Sequence, residues 1–519
     1  MSFLSKAYSS FSSVMGPDEW CRWIFFLFLF RIPFIYYQVY VKGLPLDACI
    51  VERYDVSSYV CPVENFIAWG RWEPSMRLPG YSLIYLIFRI FLPMWHALFA
   101  MIIFQSLVGC ITAYLLSRSV YEISKSRVLF FALICLLGLN IYVLFWEGSI
   151  LTDSLSANFI GISIYFMLRY SYKRATAFLF YSGLFLGWSA FMRPANVLAF
   201  PFYIPLIVQL SNIRSSLWKN LFIFSLPYGL SMLSFQSMHY MYKGELYFPR
   251  YFDVYEHPYA KKLFIVHGSI CWPNMEINLF PAKGQSCNII FFEQLGVFGD
   301  SIVKIKSSEY VGSCRNPNIF EDCFGDKEAD PITKYLSKCI CTSTFSIDSI
   351  KTIRYDLRKI AYANEKNIDS LSAALNHKIS RYIESVKKER PVYYYITSRI
   401  KSFILLITSG QAHFRGHTSF PQVPWLPILL TFHTIPIILY LLLFTVSIFV
   451  CLKTKNNLML SFLILTLAGL GIIFSYIFIS MPQIRYLVSA YPYIFWGLVI
   501  EVHLLHEYFI NRKSTNQAL

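Results

Sequence analysis

Apolar residues in this chain gather into runs of membrane length, separated by short polar breaks. Runs at about 23–41, 93–116, 127–146, 150–169, 175–192, 194–211, 217–240, 425–451, 457–480 and 486–507 each approach the roughly 20 residues that a helix needs to cross a hydrocarbon core of about 30 Å. The pattern predicts an all-α polytopic membrane protein with about ten transmembrane helices. Two shorter apolar pieces, 79–92 and 396–410, read as interfacial or re-entrant helices. Polar residues accumulate in two places, a short loop at 42–92 and a large insertion at 241–424. The chain is thereby divided into an N-terminal membrane module, 1–240, the insertion, and C-terminal membrane helices, 425–519.

Composition agrees: 56% of residues are hydrophobic and 15% charged, against about a quarter charged in soluble domains. The net charge of +16 resides largely in short loops. Arg118, Lys125 and Arg127, then Lys173 and Arg174, Arg214 and Lys219, Lys453 and Lys455, and Arg512 and Lys513 all fall on one side if the N-terminus is inside. This is the positive-inside pattern, and it predicts both termini inside with 42–92 and 241–424 outside. Without a phosphate-cradling glycine loop or a compact basic domain, nucleic acid is not an expected partner. The first run follows Lys6, Asp18 and Glu19 and lacks a small-residue cleavage site after it, which reads as an uncleaved signal anchor.

Eight of the twelve cysteines fall on the predicted outer side: Cys49, Cys61, Cys271, Cys287, Cys314, Cys323, Cys339 and Cys341. An even number in an oxidising compartment predicts disulfides. Cys49 and Cys61 flank Asp55 and are placed to staple the first loop; the other six suit a mixed, loop-rich, disulfide-stabilised outer domain. Zinc is the competing reading, but Cys339 and Cys341 do not have the usual ligand spacing. From Ser346 to Tyr395 the pattern turns helical, with Ile350, Ile353, Leu357 and Ile360 on one face. The stretch from Ile379 to Arg399 fits an amphipathic helix at a membrane surface. The insertion contains no Asn-x-Ser/Thr acceptor, which favours a bacterial inner membrane facing the periplasm over the endoplasmic reticulum.

Candidate chemistry concentrates between Asp55 and Tyr81, where Asp55, Glu64, Arg71, Glu73 and Arg77 crowd a polar stretch. Asp55 can serve as a general base toward an incoming hydroxyl, or it can be a solvated loop residue or a helix cap. Asp47 is the rival carboxylate. Asp153 opens a span and is a cap, a partner for a basic group, or the residue that positions an acceptor. Arg77, Arg193 and Arg485 are expected at one membrane level, where forked guanidinium donors suit a phosphate or pyrophosphate; each can instead reach lipid headgroups. No metal-binding histidine motif and no serine nucleophile elbow occurs.

The series Asp55, Tyr59, Glu64-Asn65, Gly70 and Arg77-x-Pro79-Gly80-Tyr81 resembles the first outer loop of the GT-C glycosyltransferases, in their protein-mannosyltransferase-like and aminoarabinose-transferase-like branch. Leu151–Leu155, Gly183–Pro194, and Arg485-Tyr486-Leu487 with Pro492 resemble later pieces of the same pattern. The resemblance implies a GT-C-like fold and a transferase that takes a sugar from a polyprenyl-phosphate donor to a glycan, lipid or protein acceptor at the outer face. It implies Asp55 as catalytic base, Asp153 as a second acid near the acceptor, and Arg485 at the donor phosphate. Arg193, Arg77, Tyr59, Glu64 and Tyr486 would line the substrate. No cofactor is required by it, and a divalent metal is compatible. The chain departs in having Val56 after Asp55, where many relatives carry a second acid, and Ser82 in place of a second proline.

Two other classes compete. A lipid-linked glycan flippase or transporter calls for polar residues near the midplane of several spans. An adhesion module would use the spans as an anchor, and ten are far more than an anchor needs.

Overall fold

The computed structural model describes residues 16–244, 341–349, 352–353, parts of 374–403, and 426–517, with gaps at 42, 47–48, 50–53, 71, 73–76, 212–213 and 480–483. Every regular element among these residues is helical. The chain divides into one unit of residues 1–249, 432–473 and 485–519, and a second of 250–431 and 474–484.

The first unit begins with α1 (Trp20–Leu29) and α2 (Ile32–Tyr36, continued as a π-helical turn to Val41). Together they are long and apolar enough for a broken span or a re-entrant loop, bent by 43° at Phe30-Arg31. The predicted polar loop then proves largely helical, as α3 (Tyr54–Trp69) and α4 (Gly80–Phe91). Both helices have a reason to fold: Tyr59, Val60 and Val63 of α3 and Tyr81, Ile84 and Tyr85 of α4 are buried in one cluster, on the 3–4 residue spacing of a helix face. α4 falls on the short apolar piece expected at 79–92.

There follow α5 (Met94–Ser124), α6 (Arg127–Leu133, with a π-helical turn to Gly138), α7 (Ile141–Glu147), α8 (Thr152–Lys173), α9 (Thr176–Met192), a 3₁₀ turn at Pro194–Ala199, α10 (Phe200–Leu210) and α11 (Arg214–Lys243). The C-terminal part adds α12 (Leu426–Thr454), α13 (Asn457–Ile479), a 3₁₀ turn at Ile484–Ala490 and α14 (Tyr491–Gln517). Among the described residues five helices are long and apolar enough to cross a membrane, or six with the bent pair. The remaining expected spans fall on helices that are shorter, broken or more polar. These include α6–α7, α8, α9 and α10.

Small residues set the tightest packing. Gly183 and Gly187 lie four apart on α9, and a Cβ on them would sit 1.9 Å from the Phe224 carbonyl oxygen and 2.9 Å from Tyr228 Cβ of α11. This is the small-xxx-small notch by which membrane helices approach closely. Lys125, Arg174 and Lys455, which end α5, α8 and α12, adopt left-handed backbone with φ of 54°, 55° and 54°. Basic residues there also face the negative end of each helix dipole.

In the second unit, residues 341–346 pack against the helical residues 381–382 and 384–389. Phe345 packs on the buried Tyr382, their rings 5.4 Å apart, and Val386 and Ile353 are buried as well. Burial pushes the Tyr382 phenol upward. Ser343 donates its hydroxyl and, at 2.8 Å, its backbone N–H to Glu389, holding that carboxyl below its ordinary value. Arg390 donates to the Cys341 carbonyl at 3.0 Å. Cys341 is a free thiol. Cys271, Cys287, Cys314, Cys323 and Cys339, with most of the expected disulfide-bearing region, lie outside the described residues.

Candidate functional site

Tyr59 is the hub of the site. It stands in the second turn of α3 and is 2% exposed. Its hydroxyl accepts from Arg77 Nη1 at 2.8 Å and pairs with Thr152 Oγ1 at 3.3 Å. The Arg77 guanidinium also lies over the Tyr59 ring, 5.2 Å from its centre, a cation–π arrangement. Beside Thr152, Asp153 forms a buried ion pair with Arg193, the residue that closes α9. Thus α3, the segment before α4, the first turn of α8 and the end of α9 meet through Arg77, Tyr59, Thr152, Asp153 and Arg193.

The backbone explains this convergence. Pro79 precedes α4, and a Cβ on Gly80 would lie 2.8 Å from the Phe191 carbonyl group, so only glycine lets α4 start against the end of α9. Trp188 of α9 donates to the Gly80 carbonyl at 3.2 Å. Leu78, next to Arg77 in the chain, and Phe191, two residues before Arg193, form a small buried cluster with Phe235. Across the site, Ser189 donates to the Ser156 carbonyl at 2.8 Å, and Ser156 meets Ser489 at 3.4 Å. The 3₁₀ turn Ile484–Ala490 is thereby joined to α8.

Asp55 occupies the first turn of α3, one helical turn before Tyr59, and Arg485 and Tyr486 lie in the 3₁₀ turn that reaches Ser489. Their side chains, like Asp47, Arg71 and Glu73, lie outside the described residues. The Cys49–Cys61 disulfide is present and brackets Asp55, as expected from the sequence. Glu64 does not join the Tyr59 hydroxyl. It accepts from Arg89 at 2.9 Å and from the Tyr85 hydroxyl at 2.7 Å, so it clamps α3 to α4.

Several polar residues escape a reading of the outer segments. Gln105 is fully buried mid-way along α5; it accepts from the Tyr81 hydroxyl at 2.8 Å and donates to the Glu147 and Ser149 carbonyls at 2.9 and 3.0 Å. It therefore ties α4 to the turn that leads into Thr152. Arg31, at the bend of the first span, forms a buried ion pair with Glu147 at 2.7 Å. Asn158 adds a donor to Glu147 at 3.4 Å. Gly109 leaves the space that the carboxylate fills, since a Cβ there would lie 1.8 Å from Glu147 Oε1. This pair and the fully buried Glu501 of α14 place ionisable side chains inside the helix packing as well as in the polar stretches. A charge inside an apolar run was the available signal, because such residues persist only with a partner or a task.

Among the described residues no group of three or more His, Cys, Asp or Glu is arranged to hold a metal ion. The chain matches no family model, no curated protein and no solved structure.

Proposed function

We propose that the chain is a GT-C-type integral membrane glycosyltransferase that moves a sugar from a polyprenyl-phosphate donor to a hydroxyl acceptor. The observation that carries this reading is the meeting of Tyr59, Arg77, Thr152, Asp153 and Arg193 from four separate segments. Asp55 is one helical turn from Tyr59, and the 3₁₀ turn bearing Arg485 is joined to α8. The acidic, aromatic and basic positions implied by the family resemblance thus belong to neighbouring segments.

The reaction is a single displacement. The acceptor oxygen forms a bond to the anomeric carbon as the bond from that carbon to the phosphate oxygen breaks. Asp55 takes the acceptor proton, and polyprenyl phosphate leaves with the bonding pair. Arg485, with Arg77 as a helper, stabilises the departing charge; a preorganised cation in a partly dry site lowers such a barrier by several kcal/mol. Asp153, neutralised by Arg193, holds the acceptor side of the site. The site faces outward, in a bacterial inner membrane with ten spans, the shorter helices counted among them.

The buried charges inside the spans favour a second reading, a flippase or transporter of a lipid-linked glycan. Transfer of labelled sugar from a polyprenyl-phosphate donor in membranes separates the two. Asp55→Asn is expected to abolish transfer while membrane insertion is retained. Transfer at the wild-type rate by that variant removes Asp55 as base, and no transfer by the wild type with any donor sugar removes the reading itself.

A further inference from the structure

The described buried acids discussed so far all have partners: Glu147 has Arg31, Asp153 has Arg193, and the part-buried Glu64 has Arg89. Glu501 is different. It lies on α14 within the apolar span Leu487–Ile510, it is fully buried, and among the described residues neither carboxyl oxygen has a hydrogen-bond partner.

The register of the surrounding helices shows what it faces. Gly497, one turn earlier on α14, is a notch: a Cβ there would lie 2.9 Å from Tyr440 Cε2 of α12 and 2.9 Å from Thr466 Cγ2 of α13. Further along, Leu504 packs with Val450 and Cys451 of α12 and Leu463 of α13. Helices α12 and α14 therefore run parallel, and Glu501 stands between these two levels. On α12, Ser447 lies seven residues after Tyr440, two turns along the same face. Its hydroxyl is also fully buried and has no hydrogen-bond partner among the described residues. The Tyr440 hydroxyl is bonded to Thr466 at 2.9 Å, and the Tyr440 ring lies against α14 at Gly497, one turn from Glu501. From α5, α6 and α8, which also pack on α14, no described side chain makes a hydrogen bond or ion pair with Glu501. On its own helix, His503 interacts with His506 and Glu507.

An isolated carboxylate in a low-dielectric interior is too costly to keep and must be neutralised. One carboxylate with no hydrogen-bond or ion-pair partner among the described residues is balanced by one unit of positive charge. We propose that Glu501, with the hydroxyls of Ser447 and Tyr440, forms an intramembrane site for a single monovalent cation, either a proton or a sodium ion. The site is separate from the Tyr59 cluster and stands whether the chain transfers a sugar or moves one.

The test is infrared difference spectroscopy on the purified full chain in lipid nanodiscs, wild type minus Glu501→Gln. The glutamine is nearly isosteric, and a far-ultraviolet circular dichroism spectrum equal to wild type confirms folding. A protonated carboxylic acid carbonyl band, absent from the glutamine variant and lost on alkaline titration, supports the site with a proton as occupant. A carboxylate band that shifts when sodium is replaced by choline at constant ionic strength supports it with sodium. Ser447→Ala is expected to displace whichever band is found. A Glu501 carboxylate band insensitive to both pH and sodium overturns the site. A band unmoved by Ser447→Ala removes Ser447 from it.

Discussion

The ion pair at the bend of the first span offers the sharpest test of the fold. Arg31 meets Glu147 through Nε at 2.7 Å and Nη2 at 3.3 Å, and both side chains are at most 1% exposed. Its Nη1 also donates to the Leu27 and Gly138 carbonyls at 2.9 and 3.2 Å. In Arg31→Met the carboxylate of Glu147 keeps, among the described residues, only the weak donor Asn158, and two buried carbonyls lose a charged donor. Removing one member of a buried pair costs about 3–5 kcal/mol. At about 4 kcal/mol the folding equilibrium falls roughly a thousandfold. Glu147→Met strands a buried cation and is expected to cost a similar amount. The double variant Arg31→Met/Glu147→Met leaves no buried charge, so it falls short of the sum of the singles by about 3 kcal/mol. Gly109→Ala pushes a methyl group into the carboxylate and costs about 1–3 kcal/mol, but it is tolerated beside Glu147→Ala. Reversible unfolding in mixed micelles, followed by circular dichroism, measures all of these. Singles within 1 kcal/mol of wild type, or a double equal to their sum, would refute the assigned pairing.

Other outcomes follow from other parts of the molecule. Cys49 and Cys61 close a loop of sequence separation 12 around Asp55. The variant Cys49→Ser/Cys61→Ser is expected to lose up to about 3 kcal/mol by the loop-entropy estimate, seen as faster hydrogen exchange in α3 while α8 and α9 are unchanged. Gly183→Leu drives a side chain into the Phe224 carbonyl, and it is expected to lower the melting temperature by more than the same substitution at Gly229, where a Cβ meets nothing. Glu389 is held below its ordinary value by Ser343. A lowered folded value means that its contribution is present above the unfolded glutamate value of about 4.3 and is lost as pH falls through the lower folded one. Exchange in 341–346 should rise over that acid window, and Glu389→Gln should remove the dependence.

What the sequence made legible was the part governed by period and length. The apolar runs become helices near their expected places, α4 is where 79–92 placed it, and Cys49 is bonded to Cys61. The polar stretch after the first run was harder. Its charged residues suggested an open loop, whereas Tyr59, Val60 and Val63 form a buried helical face because aromatic and β-branched burial outweighs the local polarity. Pairing was least legible. Arg31 and Glu147 are 116 residues apart, and Arg193 and Asp153 are 40 apart. Neither partner follows from local propensity; both require the packing of helices that Gly80, Gly109 and Gly183 bring into contact. Gln105, one amide in an apolar run, gives its role away only when its three neighbours are in place.

The interlocked glycines of α9 carry a mechanical corollary. Two helices meshed at Gly183 and Gly187 cannot roll or slide past one another without forcing a Cα into a carbonyl oxygen. Pulling α9 aside would therefore drag α11 with it, and Arg193 travels on that coupled plate. α3 and α4, by contrast, are fastened to each other by side chains, Glu64 holding Arg89 and the Tyr85 hydroxyl.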